Sequence, residues 1–138
     1  MPSTITYSNI TDGIDWVQLK SELKADSFDN GRTPDQLRGS FENSAHIVFA
    51  WCEGMVVGKA RVLSDGVCNA YLVDVWTKSE YRKQGIATEM IRRLTTHLNG
   101  QHIYLQADDD LVDFYTGLGF EPQPHGLSRV VGYWLNNE

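Results

Sequence analysis

Tyr81-Arg82-Lys83-Gln84-Gly85-Ile86-Ala87-Thr88 stands between two segments of different periodicity. Before it, Ala70-Tyr71-Leu72-Val73-Asp74-Val75-Trp76-Thr77 is an apolar, strand-like run. After it, Ala87, Met90, Ile91, Leu94 and Leu98 fall on one helical stripe. A strand, a short loop and a helix in that order leave the first amide groups of the helix without partners. The helix dipole adds about half a positive charge at the same place, so the junction suits an anion. Gly85 allows the backbone to approach a phosphate with no Cβ in the way. Ala87 keeps that approach open, and Arg82 and Lys83 add formal positive charge. The stretch is neither a P-loop, since GxxxxGK(S/T) is absent, nor a dinucleotide fingerprint, since G-x-G-x-x-G is absent.

Outward from this junction the rest of the order can be read. Ile5–Tyr7 reads as a short strand and Asp12–Ala25 as a helix with Ile14, Val17, Leu19 and Leu23 apolar. Thr33-Pro34-Asp35-Gln36 is a compact helix start, with Thr33 as cap, Pro34 at the first position and Gln36 three residues after the cap. His46–Cys52, Met55–Leu63 and Cys68–Thr77 form a meander, turned at Glu53-Gly54 and Ser64-Asp65-Gly66. His102–Gln106 is a further strand, set parallel to Cys68–Thr77 by a right-handed crossover. A helix with Leu111, Phe114, Tyr115 and Leu118 on its stripe follows, and Phe120–Pro124 with Val130–Leu135 reads as a closing hairpin. The expected class is α+β, a mixed sheet in the order β-α-α-β-β-β-α-β-α-β-β, as a single domain over residues 1–138.

Composition narrows the function. The net charge of −6 argues against a general nucleic-acid or anionic-membrane binder, which needs a basic face. No apolar run approaches the roughly 20 residues of a spanning helix, and the N-terminus lacks the blocks of a signal peptide. Cys52 and Cys68 have no metal-ligand spacing and read as two thiols in a reducing cytoplasm. No metal is expected.

Arg82-x-x-Gly85-x-Ala87 resembles the pyrophosphate-binding motif of the GCN5-related N-acetyltransferases, written (R/Q)-x-x-G-x-(G/A). Asp113-Phe114-Tyr115-Thr116-Gly117-Leu118-Gly119-Phe120 is similar to the family's late F-Y-x-x-x-G-F segment. The resemblance runs from about Ile5 to Leu135 and implies a sheet whose two central parallel strands splay apart. It implies direct acetyl transfer from acetyl-CoA to a primary amine of a small molecule or peptide. The pyrophosphate would sit on the backbone of Arg82, Lys83, Gln84, Gly85, Ile86, Ala87 and Thr88, and pantetheine would lie along Val75, Trp76 and Thr77. An N–H near Val75 would polarise the acetyl carbonyl as the oxyanion forms.

Two protons must move in such a reaction. An amine with a pKa of about 10 must lose one, and a thiolate whose thiol has a pKa of about 8.5 gains by receiving one. Tyr115 matches the family's tyrosine that faces the CoA sulfur, which makes it the expected acid. Its other reading is apolar stripe. Asp74, ionisable inside an apolar strand, is either a base acting directly or through water, or a carboxylate anchored by a neighbouring Arg or Tyr. Some family members carry a Glu base at the position of Tyr71, and a water chain is a third option. Phe28, Asp29, Trp76 and Arg129 are candidate walls of the acceptor pocket, the two aromatics also reading as core. Val130–Leu135 is a candidate edge for a homodimer. A CoA-binding sensor or partner module without turnover is the alternative function.

Overall fold

The alternating runs of the sequence become one sheet in the computed structural model of the protein, which describes residues 4–136. The chain divides into two compact units, Met1–Leu105 and Gln106–Glu138. In the first unit the order is β1 (Thr6–Ser8), α1 (Trp16–Ala25), α2 (Pro34–Glu42), β2 (His46–Cys52), β3 (Met55–Ser64), β4 (Asn69–Thr77), α3 (Ile86–Thr95) and β5 (His102–Tyr104). The five strands lie side by side in sequence order, antiparallel up to β4, with β4 and β5 parallel.

Local chemistry sets the helix ends. Asp15 accepts the Gln18 amide at 3.0 Å and starts α1 there, later than the sequence suggests, leaving Ile14 buried ahead of the helix and Val17 exposed. Thr33 and Gln36 cap each other reciprocally, through 3.1 and 2.9 Å bonds, and Pro34 occupies the first turn of α2 as expected. α3 stops at Thr95, and Leu98 is buried in the turn that follows.

The two faces of the sheet carry different partners. Leu19 and Leu23 of α1 and Leu37 and Phe41 of α2 form one apolar cluster with Phe49 of β2 and Trp76 of β4. On the other face Ile86 and Met90 of α3 meet Ala50 and Gly58. A Cβ at Gly58 would stand 3.1 Å from Ile86 Cγ2 and 3.2 Å from Met90 Cε, so the bare backbone lets the first turn of α3 press onto β3.

Two irregularities in β4 matter for the site. Lys59 pairs with Trp76 and Arg61 with Val73, so Ala60 alone opposes Asp74 and Val75. This is a β-bulge on β4, and Asp74 has φ +61°, a left-handed conformation that glycine adopts far more readily. β5 pairs only with Asn69–Tyr71, so among the described residues β4 from Leu72 to Thr77 has no parallel partner. The expected splay is this opening.

The second unit holds a 3-10 turn at Asp109–Leu111, α4 (Val112–Thr116) and a 3-10 turn at Trp134–Asn136. The closing hairpin expected over Phe120–Pro124 and Val130–Leu135 is not formed: no strand occurs there among the described residues. Pro122 and Pro124 lack the amide a ladder needs. Leu127, Val131 and Tyr133 are exposed, and Leu135 turns out of extended backbone at φ +55°. The mixed α+β sheet stands without these last two strands.

Candidate active site

Four hydrogen bonds and ion pairs fix the loop that leads from β4 into α3. Buried Trp76 donates its indole N–H to Asp26 at 3.0 Å, and the same carboxylate oxygen accepts the Ser79 amide at 3.0 Å. Lys78 donates to Glu22 at 2.6 Å, and its own amide reaches the Val57 carbonyl at 2.8 Å. Burial works to raise the Asp26 carboxyl, but the Ser79 and Trp76 hydrogen bonds outweigh it and hold it below its usual value. The C-terminal end of α1 thus anchors the start of the loop to β4.

Beyond this anchor the backbone turns left-handed twice, at Lys83 (φ +64°) and at Gly85 (φ +82°), where α3 begins. The first bond into the helix runs from the Glu89 amide to the Gly85 carbonyl, 3.0 Å. Among the described residues, the amides from Lys83 through Thr88 reach no backbone carbonyl. A Cβ placed on Gly85 would meet nothing within 4 Å, so the cradle is open and the glycine is required by its φ rather than by crowding within the protein. Arg82 donates from Nε to the Thr77 carbonyl at 3.2 Å and lies exposed beside it. Free amides, a helix N-terminus and exposed Arg82 and Lys83 make a donor set that fits a pyrophosphate.

Of the three residues expected along pantetheine, Trp76 turns its side chain into the apolar cluster, leaving its backbone as its contribution to the opening. Val75 stands at the bulge, and Thr77 pairs with Gly58.

Asp74 is the centre of an ion cluster. Arg32, from the loop between α1 and α2, donates to both carboxylate oxygens, at 2.8 and 3.0 Å. Arg61 donates from Nε to the same group, and Lys59 stands 3.4 Å away, its ammonium also 3.2 Å from the Asp74 carbonyl oxygen. Burial alone would raise the Asp74 carboxyl, yet the three cations outweigh it and hold it far below the usual carboxylate range. Burial pushes fully buried Lys59 down to about 8, against the attraction of Asp74. The Lys59 ammonium lies 5.0 Å from the Phe28 ring centroid and 5.5 Å from that of Phe41. Asp29, the other candidate in this loop, pairs with Lys20 at 2.8 Å.

In the second unit Tyr115 is buried on α4, with Phe114 and Phe120 edge-on to its ring at 5.0 and 5.9 Å. Burial raises the pKa of its hydroxyl above the ordinary phenol value. Leu111 of the expected stripe is exposed.

Sequence reading missed Arg32, Lys59 and Arg61 as the partners of Asp74, and Gly58 as the seat of α3. Lys59 and Arg61 alternate inside the apolar run of β3, a period-2 signal that puts two cations on one inward face. A glycine inside a strand is a signal of close approach. Arg32 left no local signal. Cys52 and Cys68 are free thiols, Cys52 buried and Cys68 exposed. No cluster able to hold a metal occurs among the described residues, and none of their helices is long and apolar enough to cross a membrane.

A parallel strand pair that opens beside a loop of free amides at a helix N-terminus is the architecture of a CoA-binding acyltransferase domain. The chain belongs to the GNAT acetyltransferase domain family, which matches residues 12–130. It is 37% identical over 84 residues to GCN5-related N-acetyltransferase 2, chloroplastic, of Arabidopsis thaliana, a match covering 59% of this chain and 33% of that protein. The match therefore spans about a third of that relative's length. Among solved structures, one described as a candidate acetyltransferase from Deinococcus radiodurans superposes with a TM-score of 0.78 at 28% identity, over 91% of this chain and 87% of the other. A Clostridium acetobutylicum protein solved with acetyl-CoA shares the fold, with a TM-score of 0.69 at 21% identity over 92% and 96% of the two chains.

Proposed function

We propose that the protein is an acetyl-CoA-dependent N-acetyltransferase acting on the primary amine of a small molecule or peptide, and that its two units work as one domain. The observation that carries this is the run of unpartnered amides from Lys83 to Thr88 at the start of α3, in a chain of this family. Acetyl-CoA on the Clostridium relative and a family match that crosses both units support it.

In this reading Arg82 to Thr88 hold the pyrophosphate, and the backbone of Val75 to Thr77 lines the pantetheine arm along the unpaired edge of β4. The amine nitrogen attacks the thioester carbonyl, the C–N bond forms, and the C–S bond breaks. Tyr115, a neutral phenol whose proton burial holds more tightly, donates it to the departing thiolate. Asp74 acts as an anchor rather than as the base. A carboxylate held far below its usual range by three cations is a weak proton acceptor at neutral pH. The amine proton then leaves through water.

The test is a thiol-release assay with acetyl-CoA against polyamines, arylalkylamines, amino acids, aminoglycosides and short peptides, with calorimetric CoA binding alongside. Turnover with one chemical class is expected. CoA binding without turnover on any acceptor would instead favour a sensor or partner module, a reading supported by Tyr71 and the engaged Asp74 leaving β4 without a free carboxylate. Absence of CoA binding would refute both. A cytoplasmic location and a homodimer belong to the same proposal, tested by fractionation and by light scattering; Val130–Leu135, which forms no strand, offers no sheet edge for the pairing.

A further inference from the structure

Asp74 sits in backbone that an L side chain rarely adopts, at the first residue of a bulge, with no glycine to relieve it. Left to itself such a position relaxes toward extended backbone, and the bulge with it. What holds it is external to the strand. Arg32 grips both carboxylate oxygens, Arg61 takes one of them, and Lys59 bonds the carbonyl of the same residue. Only Arg32 comes from outside the sheet. It is 6% exposed, and its Nε donates to Asn30 Oδ1 at 2.9 Å, which fixes the fork before it reaches Asp74. The next residue, Thr33, caps α2, so the guanidinium is tied to a rigid helix start one residue away.

We infer that Arg32 is a positioning residue: by clamping Asp74 in its left-handed conformation it sets the bulge that aims the Val75 and Trp76 backbone along the open edge of β4. The same bond makes the loop between α1 and α2 and the reacting strand a single rigid piece. The inference rests on the proposed acetyl transfer for its kinetic consequence, but its structural consequence stands apart from it. Arg32 touches no reacting atom in this account. It acts through Asp74, and a planar bidentate fork fixes the orientation of the carboxylate in a way a single ammonium does not.

Arg32→Gln and Arg32→Lys are compared with Leu37→Ala, a truncation in the apolar cluster that touches neither Asp74 nor its cations, by amide NMR spectra, CoA calorimetry and turnover. Both Arg32 variants are expected to move the amide resonances of Asp74, Val75 and Trp76 while leaving those of Lys83 to Thr88 and the CoA Kd within about twofold. Where the enzyme turns over, kcat is expected to fall at least tenfold in both, with KM for acetyl-CoA little changed, while Leu37→Ala loses thermal stability and keeps kcat within about threefold. Unshifted Val75 and Trp76 resonances would overturn the inference whether or not any amine is acetylated. So would full rescue by lysine, or a kcat loss in Leu37→Ala as large as in Arg32→Gln. A wild-type protein that binds CoA and acetylates nothing, with those resonances still shifted in the variants, would sink the acetyltransferase reading and leave the clamp standing.

Discussion

Lys59 and Tyr115 are the two residues whose protonation the fold alters in ways that solution measurements can read. Lys59 titrates near 8 in the folded chain, against 10.5 for a free lysine, because burial disfavours its charge more than Asp74 favours it. Between those two pH values the unfolded chain holds a proton that the folded chain has released, so rising pH favours folding. Relative to Lys59→Met, the wild type should therefore gain about 3 kcal/mol between pH 8 and 10.5, at 1.36 kcal/mol per unit. Urea titrations of both proteins across that range check it, and a constant difference would mean that Lys59 keeps its proton. Tyr115→Phe removes the proposed acid and keeps the ring packing on Phe114 and Phe120. A fall in kcat of about 100-fold with little change in KM is expected. An unchanged pH–rate profile would reduce Tyr115 to packing.

At the scale of elements, the loop between β4 and α3 owes its shape to both of its ends. Asp26 and Glu22 of the α1 end hold its start, and Gly58 gives the first turn of α3 its seat on β3. Between them the free amides face outward with nothing above Gly85. Gly85→Glu should abolish CoA binding, since it places a carboxylate at the phosphate cradle and an L side chain at φ +82°. Calorimetry gives the answer, provided the thermal transition shows a folded protein; retained affinity would remove this loop from the CoA site. The closing hairpin is an instructive failure at this scale. Aromatic and β-branched residues from Val130 to Leu135 have strand propensity, but propensity acts only where neighbouring backbone offers a ladder and a face to bury. Pro122 and Pro124 remove donors from one arm, and Leu127, Val131 and Tyr133 stay exposed.

For the whole molecule, the depressed carboxylates decide the acid limit. Asp74 is held far below its ordinary value, Asp26 and Asp29 below theirs, and Asp65 and Glu89 near 2. Each folded value lies under the unfolded one, so the stability these groups contribute is complete above about pH 4 and drains away as pH falls through the folded values. Asp65 and Glu89 are solvent-screened, and Asp74 is the carboxylate whose protonation strands three buried or half-buried cations. Stability followed by denaturant melts from pH 6 to pH 2 should decline slightly at first, because burial and His97 lower the His46 pKa, and fall steeply below about pH 4. Asp74→Asn should be less stable at neutral pH and show a shallower fall; an identical slope would place the acid sensitivity elsewhere.

Local chemistry was legible in the chain itself. The Thr33–Gln36 capping box, the bounds of β2, the meander, the Gly85 turn and the amphipathic stripe of α3 depend on neighbours a few residues apart, which the sequence displays directly. So was the family, because its two motifs are short and lie in the right order. Asp74 could be seen as an anomaly in an apolar strand, but not the partners it would take. Its partners come from 42, 15 and 13 residues away, and only the packing of α1 and α2 over β3 and β4 brings Arg32 to the face where Lys59 and Arg61 already stand. The bulge, the positive φ and the ion cluster all meet at Asp74. A contact of that kind has no signature along the chain, since its free energy arises only when distant segments exclude water from it together.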